Sequence, residues 1–197
     1  MTLPAPHFRY NQAMPVKKTK ADTSTKATAR DFASVKLLIL DVDGVLTDGG
    51  VYYGAEGEQL KRFFIPDGMG LVLLQRAGIP VAVMTTENSP RVTARIKQLK
   101  LAHYAPGISK KGEHLPRLCA EAGVDPKHAA YVGDDVNDVS ALKQVGLPIG
   151  TRDCMDEVRA VVRYVTKAAG GNGAVREVAN LILKAKGVDI PALWERG

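Results

Sequence analysis

The chain has 197 residues, 45% of them hydrophobic and 24% charged, which predicts one soluble domain with enough chain to bury a core. No apolar stretch approaches the ~20 residues that a membrane span needs, so no membrane partner is expected. Residues 1–36 hold seven Lys or Arg and two acids, a net of +5, and the whole chain is +6, which leaves +1 for the remainder. The basicity therefore belongs to the N-terminal tail, and no nucleic-acid partner is expected for the folded part.

The composition separates a tail from a folded domain. Residues 1–33 mix Pro, Lys, Thr and Ala with little apolar periodicity, which predicts a basic, disordered tail ahead of a domain over residues 34–190. Because the tail is basic, Thr-rich and poor in acids, an organelle transit peptide is the weaker alternative. Cys119 and Cys154 are far apart and lack CxxC spacing, which predicts reduced thiols in a cytoplasmic protein.

The first predicted strand leads into two acids. Residues 37–50 read LLILDVDGVLTDGG, and the apolar run at the start is typical of a parallel strand buried on both faces. Asp41 and Asp43 would follow where that strand ends, and alternation along an extended chain points them the same way. Two carboxylates so close usually need a cation or a shared proton. The plainer alternative is a strand followed by a polar Asp-Gly turn.

The later elements alternate in type. Aromatic and apolar residues around a glycine-bearing turn predict a β-hairpin over residues 49–64. Helices are predicted over residues 69–77, 91–99 (with Ser89 as N-cap and Pro90 as first residue), 112–122, 137–145, 155–160 and 174–186. Strands are predicted over residues 79–84, 103–105, 129–132, 147–150 and 161–165. This alternation predicts an α/β fold, a three-layer Rossmann-like domain in which helices flank a parallel sheet.

Polar side chains gather where the predicted strands end. Because parallel strands bring their carboxyl ends to one edge, the following residues are expected to converge: Asp41, Asp43, Thr85, Thr86, Asp134, Asp135 and Asp138. Such an acid cluster requires a divalent cation, and Mg2+ would be bound by Asp41, by the backbone carbonyl of Asp43 and by Asp134. Thr85 offers a hydroxyl and Lys111 an ammonium to a phosphate group. Taken singly, Thr85 also fits a strand-end cap, and Lys110 and Lys111 a solvated helix start.

These groups occur in the order of a known family. The segment DVDGVLTD, residues 41–48, resembles the DxDGxLT[DN] motif of the haloacid dehalogenase-like phosphotransferases, and the resemblance extends over residues 35–186. It implies that Asp41 is the nucleophile and Asp43 the general acid/base. It also implies that Thr85, Thr86 and Lys111 bind phosphate and that Asp135 and Asp138 are supporting acids. The spacing in similar proteins favours Lys111 over Lys110.

The gaps between the motifs are too short for a cap domain. Residues 48–84 hold a hairpin and one helix, and residues 87–110 hold one helix and a short strand. The capless pattern resembles the 3-deoxy-D-manno-octulosonate 8-phosphate phosphatases and their nine-carbon 2-keto-3-deoxy sugar-phosphate relatives. The shared stretches are residues 49–58, 67–68, 131–135 and 170–177. The resemblance implies hydrolysis of a sugar-acid phosphate through an aspartyl-phosphate, in lipopolysaccharide biosynthesis.

One position departs from the eight-carbon enzymes. They usually carry Thr-Gly-Arg after the second strand, whereas this chain has Thr85-Thr86-Glu87. Glu87 resembles the Thr-Gly-Glu of the nine-carbon branch, so it is expected to contact substrate, and the substrate's carbon number stays open. The alternatives are a phosphatase of another small metabolite, a phosphomutase, or a non-catalytic interaction module on the same fold.

An active site without a cap domain needs residues from outside the domain to bind a sugar acid. The hairpin, aromatic at Tyr52 and Tyr53, and the glycine run 170–173 have no evident role within the monomer. A lone hairpin is marginal in water, and glycines give a segment reach. We therefore expect a homotetramer in which the hairpin of one subunit floors the next site and Arg176 pairs with the substrate carboxylate.

Overall fold

The computed structural model describes residues 26–195. The predicted tail and its transit-peptide alternative therefore lie largely outside the described residues. Within that range no helix is both long and apolar enough to cross a bilayer.

Among residues 26–195, eight strands form two sheets. They are β1 Leu37–Leu40, β2 Thr47–Gly54, β3 Gly57–Phe63, β4 Val81–Met84, β5 His103–Ala105, β6 Ala129–Gly133, β7 Leu147–Gly150 and β8 Tyr164–Val165. Six of them make a parallel sheet in the order β5-β4-β1-β6-β7-β8, with β1 between β4 and β6. The antiparallel pair β2–β3 is the predicted hairpin.

Helices cover both faces of the large sheet. They are α1 Ala29–Ser34, α2 Ile65–Arg76, α3 Pro90–Gln98, α4 Lys111–Glu121, α5 Val139–Leu142, α6 Asp156–Arg159, α7 Ala174–Ala185 and α8 Ile190–Glu195, with 3-10 turns at Pro126–His128 and Val136–Asp138. Leu38 and Leu40 of β1 pack in the core formed with α1, α2, α3 and α7. Leu37 and Ile39 face the opposite core, with α4, α5 and α6. Because side chains alternate along β1, this buried strand contributes residues to both cores. The predicted three-layer architecture is therefore confirmed.

The prediction that no cap domain is present is also confirmed. Between β1 and β4 the chain forms only the hairpin and α2, and between β4 and α4 only α3 and β5. The hairpin projects from the domain, and its outer side chains stay exposed at Tyr52, Tyr53 and Leu60.

Several boundaries differ from the predicted ones for physical reasons. Helix α2 begins four residues early, at Ile65, because Pro66 is tolerated in a first turn. The helix predicted over residues 137–145 is a 3-10 turn followed by α5, because the Asp138 carboxylate turns back to accept the Asp134 and Asp135 N–H groups. Ser89 precedes α3, but its hydroxyl donates to Glu58 of the hairpin, at 2.7 Å, and does not cap the helix.

Two terminal helices were not predicted. A capping box between Thr28 and Asp31 forms the N-terminus of helix α1. Phe32 of this helix packs edge-on against Tyr164, with ring centroids 5.3 Å apart. The folded domain therefore starts before residue 34. Helix α8 lies at the other end, where Trp194 stacks under the Arg76 guanidinium at 4.0 Å.

Candidate active site

Three neighbouring strands deliver the polar groups to one edge of the sheet. Strand β1 pairs with β4 on one side and β6 on the other, so Asp41, Thr85 and Asp134 follow adjacent strand ends. Asp41 and Thr85 are buried, with 4% and 1% of their surface exposed, while Asp43 is partly exposed. The topology therefore makes the convergence that the sequence predicted.

A fully buried lysine joins the acids. Lys111 Nζ lies 2.8 Å from Asp41 Oδ1 and 2.7 Å from Asp138 Oδ1, and its side chain is 0% exposed. Burial lowers the pKa of Lys111, but the charges of Asp41 and Asp138 outweigh burial and raise it above its ordinary value. Lys110 instead extends into solvent beside Glu113. Lys111 therefore lies among the acids, and Lys110 does not.

Asp138 serves the other members of the cluster. Its Oδ1 accepts from the Tyr131 hydroxyl at 2.7 Å as well as from Lys111, and its Oδ2 accepts from Asp134 N–H at 2.9 Å. This supports its predicted role as a supporting acid that fixes Lys111 and the turn after β6. Asp135 is exposed, and its carboxylate caps the 3-10 turn through Val136 N–H.

The acids fit a divalent cation. Asp41, Asp134 and Asp138 each offer a carboxylate oxygen, and these atoms lie within 4.8 Å of one another. Burial, followed by the charge of Asp138, raises the pKa of Asp41 to about 7. Burial and the charges of Asp41, Asp138 and Asp135 raise the pKa of Asp134 to about 8.

One oxygen of this group has no protein partner. Asp134 Oδ1 is buried without a hydrogen bond, whereas both oxygens of Asp138 are already engaged. A buried, unpaired carboxylate oxygen among other acids is a ligand position for a hard cation such as Mg2+. The carboxylates of Asp41 and Asp134, which were predicted to bind Mg2+, are therefore better placed to do so than the carboxylate of Asp138.

Gly44 makes room for this arrangement. Its φ is +84°, and a Cβ placed on it would lie 2.0 Å from Asp134 Oδ2. No side chain can occupy this position while Asp134 keeps its place, which explains the glycine of the motif.

The second strand end places a hydroxyl beside the acids. Thr85 Oγ1 accepts from Glu87 N–H at 3.2 Å, which leaves the hydroxyl proton to donate to a phosphate oxygen. Thr86 is exposed, and the structure gives its side chain no comparable fixation.

Sequence reasoning missed Lys61. This residue of β3 places its ammonium 2.8 and 2.7 Å from the two oxygens of Asp43, and it also contacts Glu87. The register of the hairpin sets Lys61 opposite Val51, but it does not encode how the hairpin meets the loop that carries Asp41 and Asp43 (residues 41–46), which we call the catalytic loop. The expectation that the hairpin has no role within the monomer is therefore wrong at its base.

The glycine run also has a role within its own chain. Gly171 N–H donates to Val45 O at 3.0 Å, and a Cβ on Gly170 would lie 1.8 Å from Gly44 O. Arg62 binds both segments, since Nη1 lies 3.1 Å from Asp48 Oδ2 and 3.0 Å from Gly171 O. The glycines thus allow the backbone to pack against the catalytic loop, which corrects the expectation for this run.

Arg176 lies apart from the acids within the monomer. Its N–H donates to Asp67 Oδ1 at 2.7 Å, and its Nε donates to Asn180 Oδ1 at 3.0 Å. Within residues 26–195 it makes no ion pair or hydrogen bond with Asp41, Asp134 or Asp138. Its predicted contact with substrate would need a second subunit.

Comparisons with known proteins agree with the geometry. A family model described as haloacid dehalogenase-like hydrolase matches residues 69–146. The chain is 40% identical over 167 residues to 3-deoxy-D-manno-octulosonate 8-phosphate phosphatase KdsC of Escherichia coli (strain B / BL21-DE3), covering 85% of this chain and 86% of that protein.

Solved structures give the same result. The phosphatase of that name from Moraxella catarrhalis, in complex with a magnesium ion, a phosphate ion and a KDO molecule, superposes with a TM-score of 0.80 at 38% identity, covering 85% of this chain and 96% of that one. The cobalt-bound form of the deoxy-D-mannose-octulosonate 8-phosphate phosphatase from Haemophilus influenzae gives 0.78 at 38% identity, covering 80% and 92%.

Proposed function

The chain belongs to the 3-deoxy-D-manno-octulosonate 8-phosphate phosphatase family of haloacid dehalogenase-like hydrolases, and we propose from its site that it is a Mg2+-dependent phosphatase of a 2-keto-3-deoxy sugar-acid phosphate. The observation that carries this proposal is that buried Asp41 and Lys111 lie beside partly buried Asp134 at one edge of the sheet. It supplies a carboxylate nucleophile, a cation for phosphate and a place for a metal ion in one group.

The reaction assigns one role to each of two acids. An oxygen of Asp41 attacks phosphorus in line while the bond from phosphorus to the sugar oxygen breaks, and protonated Asp43 gives its proton to that leaving oxygen. Asp43 then takes a proton from water, the water oxygen attacks phosphorus, and the bond from phosphorus to Asp41 breaks. Inorganic phosphate leaves, and both acids return to their starting forms.

Lys111 and Thr85 hold the phosphoryl group. Two of the three donors on Lys111 Nζ go to Asp41 and Asp138, so the third remains for a phosphate oxygen. Asp41, Asp134 and the backbone carbonyl of Asp43 would hold Mg2+, which when bound neutralises the charge of the phosphate dianion and of the attacking carboxylate.

Glu87 is our candidate for choosing the sugar. It stands at the mouth of the site, 38% exposed, next to the acid that protonates the leaving group. A carboxylate there accepts from sugar hydroxyls, whereas an arginine would attract the acid group of the sugar. We therefore propose that Glu87 discriminates between the eight-carbon and the nine-carbon substrate.

Steady-state kinetics on both sugar phosphates side by side tests this function. We expect hydrolysis of at least one with a kcat/KM well above that for a panel of other phosphorylated metabolites. A higher kcat/KM for an unrelated metabolite would make the chain a phosphatase of that compound. Absence of hydrolysis of every phosphate ester in Mg2+ would leave only the interaction module.

We further propose a homotetramer assembled through the hairpin. Tyr52 is 63% exposed, Tyr53 75% and Leu60 63%, an apolar surface on a two-stranded element that is marginal by itself. Burial against other copies of the chain would stabilise the hairpin. It would also bring residues of a neighbouring subunit, including its Arg176, toward each open site. Sedimentation of wild type and of a Tyr52→Ser, Tyr53→Ser double variant tests this assembly. A fully active wild-type monomer would refute it.

We propose that the enzyme is cytoplasmic. Both cysteines are free and buried, which suits a reducing compartment. Cell fractionation with an antibody to the chain measures this directly.

A further inference from the structure

One buried ammonium meets three carboxylates at the base of the hairpin. Lys61 Nζ lies 2.8 and 2.7 Å from the two oxygens of Asp43 and 3.5 Å from Glu58 Oε2, and it also contacts Glu87. The lysine side chain is 0% exposed and that of Glu58 11%. We call these four residues the hairpin lysine cluster.

Glu58 anchors the cluster to the start of α3. Glu58 Oε1 accepts from the Ser89 hydroxyl at 2.7 Å, which ties the hairpin to the start of α3. Arg91 Nε lies 3.5 Å from the same oxygen. Lys61 therefore contacts Glu58 and Glu87, which lie outside the catalytic loop, as well as Asp43.

The contact with Asp43 fixes the orientation of that carboxyl group. Both of its oxygens face the ammonium, and Oδ1 also lies 3.2 Å from the Thr47 hydroxyl. Asp43 is partly exposed, so without these partners its side chain would be free to rotate toward solvent. A general acid must lie within hydrogen-bond reach of the leaving oxygen, so its rotamer matters to the rate.

We propose that Lys61 is a positioning residue for Asp43 and that it joins the general acid/base to Glu87 through one shared ammonium. The inference rests on the proposed function, since it takes Asp43 as the general acid/base. Because Glu87 and Asp43 contact the same ammonium, Lys61 fixes the position of Glu87, which faces the sugar, relative to Asp43, which protonates it. A purely structural lysine would affect all substrates alike, whereas a positioning lysine affects those that need a proton.

Two phosphate esters separate these possibilities. An alkyl ester such as β-glycerophosphate leaves as a strongly basic alkoxide and needs the proton of Asp43, whereas p-nitrophenyl phosphate leaves as a stable phenolate. We expect Lys61→Met to lower kcat/KM about 100-fold for the alkyl ester and only about threefold for the aryl ester. Inhibition by inorganic phosphate, which reports the site of Asp41 and Lys111, should stay unchanged.

Two further variants complete the test. Lys61→Arg should recover most of the alkyl activity, because a guanidinium can bind both oxygens of Asp43. Lys127→Met, which removes an exposed lysine paired with Asp125, is the matched control and should behave as wild type. If Lys61→Met does not fold, Lys61→Gln, which keeps a polar group in the cluster, takes its place in the comparison.

The outcomes decide the inference. Equal losses on both esters in a folded variant would make Lys61 structural only, and wild-type rates on both would remove any role. Neither ester is the proposed substrate, so failure on sugar-acid phosphates alone would refute the proposed function and leave this comparison intact. A wild type inactive on every ester would refute both.

Discussion

Adjacent lysines offer a matched pair of substitutions with opposite expectations. Lys111 lies 2.8 and 2.7 Å from two carboxylates with its side chain 0% exposed, whereas Lys110 pairs with Glu113 at 3.1 Å with both side chains more than 70% exposed. In Lys111→Met, Asp41 and Asp138 would face each other in a buried site without a cation.

The magnitudes follow from burial. Removing one partner of a buried ion pair costs about 3–5 kcal/mol, because the remaining charge stays desolvated and unpaired. An exposed pair contributes about 0–1 kcal/mol. We therefore expect Lys111→Met to lose about 3–5 kcal/mol of unfolding free energy in EDTA at pH 8, and Lys110→Met less than about 1 kcal/mol.

Urea unfolding followed by circular dichroism measures both values, and single-turnover assays show which lysine binds phosphate. The loss in Lys111→Met should shrink toward pH 5, because Asp41 can then relieve the repulsion by binding a proton. Comparable losses in the two variants, or a loss below about 1 kcal/mol in Lys111→Met, would contradict the assignment.

Three other predictions concern the acids and the glycine between them. Asp41→Asn should abolish turnover while calorimetry still detects phosphate binding, and substantial remaining turnover would contradict the nucleophile assignment. Gly44→Ala should lower Mg2+ affinity in titration calorimetry, because its Cβ would lie 2.0 Å from Asp134 Oδ2. Gly78→Ala is the control: φ is +76° and no atom lies within 4 Å of the added Cβ, so it should lose only about 1–2 kcal/mol of stability, from backbone strain. In the folded state the pKa values of about 7 for Asp41 and about 8 for Asp134 lie above their ordinary value of 3.8. The folded state therefore binds more protons than the unfolded state, and its stability decreases as these protons are lost. In EDTA we expect the melting temperature to fall as pH rises from about 5 to 8. Mg2+ should reduce that fall, and a melting temperature that rises with pH in EDTA would count against the cluster.

The parallel sheet and the group of polar residues at its edge follow from local sequence patterns. The run at residues 37–40 is apolar at every position, which is typical of a strand buried on both faces, and parallel connections bring strand ends to one edge. The sequence pattern alone therefore predicts that Asp41, Thr85 and Asp134 lie together. The absence of a cap followed in the same way, from the short spacing between motifs.

The tertiary structure alone decided which partners these residues have. Lys61 contacts Asp43 and Glu87 only because the hairpin folds back at a particular angle onto the catalytic loop, and the period of a strand does not encode that angle. Asp138 could have been a metal ligand by its spacing, but Tyr131 and Lys111 both donate to its Oδ1, and the Asp134 N–H donates to its Oδ2. Local pattern fixes which face a side chain takes, whereas contacts between distant segments depend on how whole elements pack.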